Sequence, residues 1–204
     1  MDSVMKKSET IVMGKIIKKY KIPLKHINEL NKKYDSIKNK LTDYGHRLAG
    51  RLDTELNITS ILQQTSIYPY LVKCMTDYIN DEQKFYILPS QKIDLEIIAC
   101  WINDMVAGEY NPPHTHHNGT GWSVVLFLQV PNFINDVKHA QKFRDGQLVF
   151  IDNASSSTHY MNPVVGDFYI FRADQLHAVM PFKTKTPSEI RRSMSFNFIL
   201  KTNV

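Results

Sequence analysis

The chain has 204 residues, 43% hydrophobic and 22% charged, which suits one domain with its own core and excludes a disordered or low-complexity protein. Its longest apolar stretch, in VVLFL, is too short to cross a bilayer, and the N-terminus lacks the cleavage pattern of a secretory signal. The formal charge of +5 is uneven: residues 1–47 carry twelve Lys/Arg against five Asp/Glu, so the remainder is net −2. That basic third reads as a solvated helix face, with attraction to nucleic acid or an acidic partner as the alternative. Cys74 and Cys100 have no zinc or disulfide spacing, which fits a reducing cytoplasm.

Residues 9–22, rich in β-branched side chains, predict a strand that Pro23 stops. From Ile27 the apolar positions Leu30, Tyr34, Ile37, Leu41 and Tyr44 alternate steps of three and four, the signature of one helix face. Residues 66–81 predict a second helix, with Pro69 early and Leu71, Met75, Tyr78 and Ile79 on one side. From about residue 84 the texture changes to short strands: KFYIL, IDLEIIACWIND, WSVVLFLQV, QLVFID, DFYIFR, LHAVMPF and IRRSMSFNFIL, separated by turn signals. Residues 132–146 and 153–162 read as rim loops. The fold class expected is mostly β: a jelly-roll or barrel-like sandwich with N-terminal helices in front. The whole chain, 1–204, reads as a single domain, with 1–83 as mainly helical support and 84–204 as the β core.

In the last strand, Ile190, Arg192, Met194, Phe196, Phe198 and Leu200 fall on one face, and Arg191, Ser193, Ser195 and Asn197 on the other. Such alternation fits an outer strand, or one whose polar face lines a cavity while its apolar face packs under helices.

The chemistry is concentrated in NPPHTHHNGTGW. His114 and His116 are two apart, so on an extended backbone both point to one face and can share a metal. A third ligand must come from elsewhere: His177, at the start of LHAVMPF, or His159, in a Ser/Thr-rich loop. Asp152 is a candidate substitute carboxylate, although a turn residue at a strand end is the simpler reading. His26, His46 and His139 have no partners by sequence. Imidazoles suit zinc, copper, iron or nickel. Arg191 discriminates: with Ser193 on the same face, it is built to clamp a carboxylate, as the far end of 2-oxoglutarate requires. Asn103, on the face of Trp101, is a further candidate for hydrogen bonding to that cosubstrate. Tyr169 and Phe171 share a face opposite Ile170, and one of these two faces would line the cavity.

In order, WINDMVAGEYNPPHTHHNGTGWSVVLFLQVP, GQLVFID, VVGDFYIFRADQLHAVMPF and RRSMSFNF resemble the iron(II)/2-oxoglutarate-dependent oxygenases over residues 97–200, and most of all their small prolyl-hydroxylase-like branch often encoded by bacteriophages. The resemblance implies a double-stranded β-helix, iron(II) at its open mouth, O2 and 2-oxoglutarate as cosubstrates, and oxidation coupled to succinate formation. It implies His114, His116 and His177 as metal ligands and Arg191 with Ser193 as the cosubstrate clamp. Where the wider superfamily has H-x-D or H-x-E, this chain has His114-Thr115-His116, which leaves the site one positive charge richer. A peptide or protein side chain is the expected substrate, with nucleic acid as the alternative. Two rival readings remain: a cupin-like metal dioxygenase independent of 2-oxoglutarate, and a non-catalytic β-helix binding module. Against the cupin reading, no glutamate follows His116 within 117–121.

Overall fold

The computed structural model describes residues 9–12, 15–85, 94–116, 119–134, 144–152, 155 and 157–201. The predicted strand of residues 9–22 is two, β1 (Glu9–Val12) and β2 (Ile16–Lys21), paired antiparallel. Pro23 then occupies the N-cap of α1 (Leu24–Ile37), which buries Ile27, Leu30 and Tyr34. Periodicity alone would carry this helix to Tyr44, but α1 ends at Ile37 and continues as single 3-10 turns at Lys38–Lys40 and Gly45–Arg47. A short strand, β3 (Glu55–Asn57), and one helical turn, α2 (Thr59–Leu62), come next. Helix α3 (Tyr68–Phe85) buries Leu71, Met75, Tyr78 and Ile79, as their spacing predicts. It runs through Lys84 and Phe85, so the strand expected in KFYIL does not start there; the rest of KFYIL lies outside the described residues.

The β region comprises β4 (Leu95–Met105), β5 (Asn111–His114), β6 (Trp122–Gln129), β7 (Leu148–Ile151), β8 (Thr158–Met161), β9 (Asp167–Arg172), β10 (His177–Val179) and β11 (Arg191–Leu200). The second expected rim loop thus contains a strand, β8, which pairs with β7. Among the described residues, eleven strands form two antiparallel sheets: seven in the order β1-β2-β9-β6-β11-β4-β3, four in the order β5-β10-β7-β8. The region expected to be helical support therefore contributes three strands to the larger sheet. Among the described residues, no helix is long and apolar enough to cross a membrane.

The larger sheet has two occupied faces. One packs under α1 and α3, where Met194, Phe196 and Phe198 of β11 are fully buried beside Leu71, Met75 and Tyr78. Each such side chain contributes roughly 1.5–3 kcal/mol through burial. The other face meets the small sheet through a second core that includes Val125, Phe127, Phe150, Tyr169 and Phe171. Beyond that core the sheets leave a cavity of about 350 Å³, into which β11 turns Ser193, Ser195 and Asn197. The alternation of β11 follows from this arrangement: helices on one side, cavity on the other.

Candidate metal centre and carboxylate clamp

His114 closes β5 and His177 opens β10, and the two are directly paired residues of adjacent antiparallel strands. Residues 63 apart in the chain thus meet on neighbouring strands. His116 lies beyond the end of β5, in a bend held by a hydrogen bond from its backbone N–H to the Ala173 carbonyl (2.8 Å) and one from Gly119 to its own carbonyl (2.7 Å). Ligand atoms of the three histidines all lie within 4.8 Å of one another, and among the described residues they form the one such cluster of His, Cys, Asp or Glu.

Two of the rings are fixed in a tautomer that suits metal binding. His114 donates Nδ1–H to the Pro112 carbonyl (2.7 Å), and His177 donates Nδ1–H to the Gln175 carbonyl (2.9 Å). Each Nε2 is thereby left as a lone-pair donor. His116 Nε2 is 3.1 Å from His177 Nε2. Two imidazoles at ~2.1 Å from one ion and near a right angle would stand about 3 Å apart. Burial holds all three histidines below their ordinary pKa, His116 at about 3 and His177 well below it, and the neighbouring rings push His116 and His177 further down. The three are therefore neutral imidazoles, the form that ligates. Phe171 packs edge-on against His177, 4.8 Å between centroids, and Trp101 lies 5.9 Å from His116, so apolar rings hold the cluster.

Asp152 and His159 are not part of the cluster. Asp152 accepts a hydrogen bond from Ser155 Oγ and donates its backbone N–H to the Ser157 carbonyl, as a turn residue does; His159 is exposed on β8, opposite Phe150. His26 is buried against Ser66, and His46 is exposed; His139 lies outside the described residues. Tyr169 and Phe171 pack in the core between the sheets and not on the cavity wall.

Ser193 faces the cavity, and Arg191 stands two residues deeper on the same face, with no exposed surface. Its Nε donates to the Gly146 carbonyl (2.9 Å), Nη1 contacts Met105 Sδ (3.3 Å), and the guanidinium lies over Phe127 (4.9 Å). Nη2 is buried without a hydrogen-bond partner. No carboxylate pairs with Arg191 among the described residues, and burial alone pushes its pKa down to about 9. A buried cation without a counter-anion is costly, and a carboxylate arriving beside it would relieve that cost. Asn103 is opposite Ser193 in the β4–β11 register, lines the cavity, and buries Oδ1 without a partner.

Sequence reading missed Glu55 and Asn111, which also line this cavity and bury unpartnered oxygens. Glu55 lies on a three-residue strand, too short for an alternation pattern to show; Asn111 was read only as part of the turn before the histidines.

A family model for 2OG-Fe(II) oxygenases matches residues 99–197. No curated protein sequence matches the chain. Among solved structures, a prolyl-4-hydroxylase from Pseudomonas putida superposes with a TM-score of 0.60, at 16% identity over 91% of this chain and 93% of that one. A viral collagen prolyl hydroxylase from Paramecium Bursaria Chlorella virus-1, solved with 2OG, gives 0.59 at 12% identity, over 90% and 96%. A prolyl hydroxylase from Trichoplax adhaerens, solved with a hypoxia inducible factor peptide, gives 0.56 at 14%, over 86% and 78%. At these identities the likeness is one of fold, the double-stranded β-helix. Residues 99–197, which include all three histidines and Arg191, thus match the 2OG-Fe(II) oxygenases, a family whose cofactors are iron(II), 2-oxoglutarate and O2, and His114, His116 and His177 form a group that could hold the iron.

Proposed function

We propose that the whole chain is one oxygenase domain that hydroxylates a peptide or protein side chain, with His114, His116 and His177 holding iron(II) and Arg191 anchoring 2-oxoglutarate. The observation that carries this reading is the buried, uncompensated guanidinium of Arg191 behind a cavity that also holds three convergent neutral imidazoles. A cupin-like dioxygenase or a binding module has no use for that cation. The donors fit the group: three convergent neutral imidazoles would hold the ion, and imidazole is a suitable ligand for iron.

When iron(II), 2-oxoglutarate and O2 are bound, the chemistry of this family converts 2-oxoglutarate to succinate and CO2 and inserts one oxygen atom into a C–H bond of the substrate. The chain's own residues bind and orient. Arg191 Nη2 and the Ser193 hydroxyl would donate to the far carboxylate of the cosubstrate. Asn103, level with Ser193 on the adjacent strand, would hydrogen-bond the same molecule from the side. Phe150 and Phe171 beneath His177 keep water from the inner end of the site. The peptide preference rests on the fold shared with three prolyl hydroxylases. A reducing cytoplasm suits the two buried cysteines, neither of which is in a disulfide.

Anaerobic titration of metal-free protein with iron(II) and then 2-oxoglutarate tests the reading. A visible charge-transfer band that needs both components is the expected result. Tight iron binding without a band would favour the cupin-like alternative. His177→Ala should lose iron binding and the band together; unchanged iron affinity in that variant would overturn the ligand set.

A further inference from the structure

One end of the cavity is acidic, and nothing in the proposed iron and 2-oxoglutarate chemistry uses it. Glu55 enters on β3, paired with Asn103, and is 2% exposed. Its Oε2 is buried without a hydrogen-bond partner, and among the described residues no cation pairs with it. Asn111 presents a second unpartnered buried oxygen from the strand that carries His114. Both side chains pack against Gly50, where a Cβ would collide with Asn111 Oδ1 at 2.5 Å and Glu55 Oε1 at 2.9 Å, so the glycine lets the two acceptors lie side by side on the cavity wall. Asp43 is close to the same carboxylate: a Cβ on Gly45 would lie 3.2 Å from Glu55 Oε2 and 3.4 Å from Asp43 Oδ1. Glu109 adds a third negative charge nearby, although its own oxygens are occupied by the backbone N–H groups of Asp53 and Val106. Arg47, also on the wall, lies over Tyr44 at the rim.

We propose that Glu55, with Asn111, forms a recognition subsite for a cationic group of the primary substrate, an ammonium or guanidinium entering the cavity that both side chains line. This rests on the oxygenase reading, since it gives that site its substrate class. Three observations agree. Glu55 Oε2 and Asn111 Oδ1 lack donors within the protein, and a cationic ligand would supply N–H groups to both. The surrounding carboxylates favour positive charge and disfavour an anion. Burial, with Asp43 and Glu109, also raises the Glu55 carboxyl to about 7, a strain that an incoming cation would relieve. The cavity carrying the three histidines is the same one, so a substrate anchored here extends toward the metal position. Basic peptides are therefore the favoured substrates.

The test uses iron(II)- and 2-oxoglutarate-loaded protein without O2 and four probe peptides. Three are blocked at both ends and read Ala-Pro-Lys, Ala-Pro-Glu and Ala-Pro-norleucine; the fourth is Ala-Pro-norleucine with a free amino terminus. Calorimetry should give the lysyl probe about tenfold tighter binding than norleucyl, with the glutamyl probe weakest. Tighter binding of the free-amine probe alone would assign the subsite to a chain terminus instead of a side chain. Glu55→Gln, which keeps the shape, should erase the preference for the cation. Gly50→Ala, whose Cβ would displace Asn111 Oδ1 and Glu55 Oε1, should weaken the lysyl probe with no change of charge. Equal binding of all probes, no binding of any, or a preference that survives in Glu55→Gln overturns the proposal. The charge-transfer band, recorded on the same samples, reports separately on the oxygenase reading and on the integrity of each variant.

Discussion

Arg191 and Arg192 are adjacent on β11, both almost wholly buried, and they differ in everything else that matters. Arg192 points to the helix side. It donates Nε to Asp104 Oδ1 (2.6 Å) and Nη2 to Asp104 Oδ2 (3.0 Å), and its Nη1 and Nη2 reach Asp35 of α1. Tyr34 lies beneath it, 4.5 Å from the guanidinium to the ring. Its partner carboxylates hold its charge more firmly than in water. Arg191, on the cavity side, has a carbonyl, a thioether and an aromatic face for company, and no anion. One guanidinium is complete within the fold; the other needs something from outside. A fully paired buried ion belongs to structure, and an unpaired one at a cavity belongs to a ligand.

Removing Arg191 tests that difference most directly and should give the largest functional effect. Arg191→Met takes away a buried cation and its hydrogen bond to Gly146. The two effects oppose one another, and thermal unfolding should shift by only a few degrees. Affinity for 2-oxoglutarate, read from the charge-transfer band, should fall by about a hundredfold or more, as expected for truncating one side of a desolvated charge pair. Iron affinity should change little. A loss of stability without a loss of cosubstrate affinity would make Arg191 a structural residue like its neighbour.

Arg192→Met should do the reverse. It strands the Asp104 carboxylate, which is buried, and should destabilise the fold by about 3–5 kcal/mol in chemical denaturation. Where the variant remains folded, its affinity for 2-oxoglutarate should stay within about threefold of the original. Both outcomes together separate the two arginines; a common phenotype would erase the distinction.

The two faces of β11 were legible in the sequence because a strand alternates strictly and this one is ten residues long. His177 and Arg191 were legible for a related reason: each begins a β-rich run with clear bounds. The limits were equally physical. The helix spacing through Leu41 and Tyr44 outlasts α1, since periodicity reports which side is apolar and not where backbone hydrogen bonding changes to 3-10 turns. β5, with the sequence NPPH, has two prolines and reads as a turn, yet it carries His114. Glu55 was invisible because its neighbours in the cavity come from β4 and β5, more than forty residues on, and from the turns of residues 43–50. Pairing between distant strands decides what such a residue faces, and a single sequence does not display it.

The smallest expected effect concerns acid, and it distinguishes the arginines by titration. Hydrogen bonding to Arg192 holds the Asp35 carboxyl below its ordinary value of 3.8, while no carboxylate is available to do the same for Arg191. A carboxyl depressed in the folded state stabilises the fold fully above its unfolded pKa. That stabilisation is lost as pH falls through the folded value. Asp35 is half-exposed, so solvent screening limits the contribution to roughly 0.5 kcal/mol. Asp35→Asn should therefore cost about that much at pH 7, and the difference from the parent should shrink as pH falls below 3.8. Arg191→Met should show no such convergence, because its missing anion would come from the cosubstrate. Parallel denaturation curves of the two variants at pH 7 and pH 3, without 2-oxoglutarate, would decide whether Arg192 alone is tied to a titrating partner in the fold. A pH-dependent gap in Arg191→Met would reveal an acidic partner for Arg191 and weaken its assignment to the ligand.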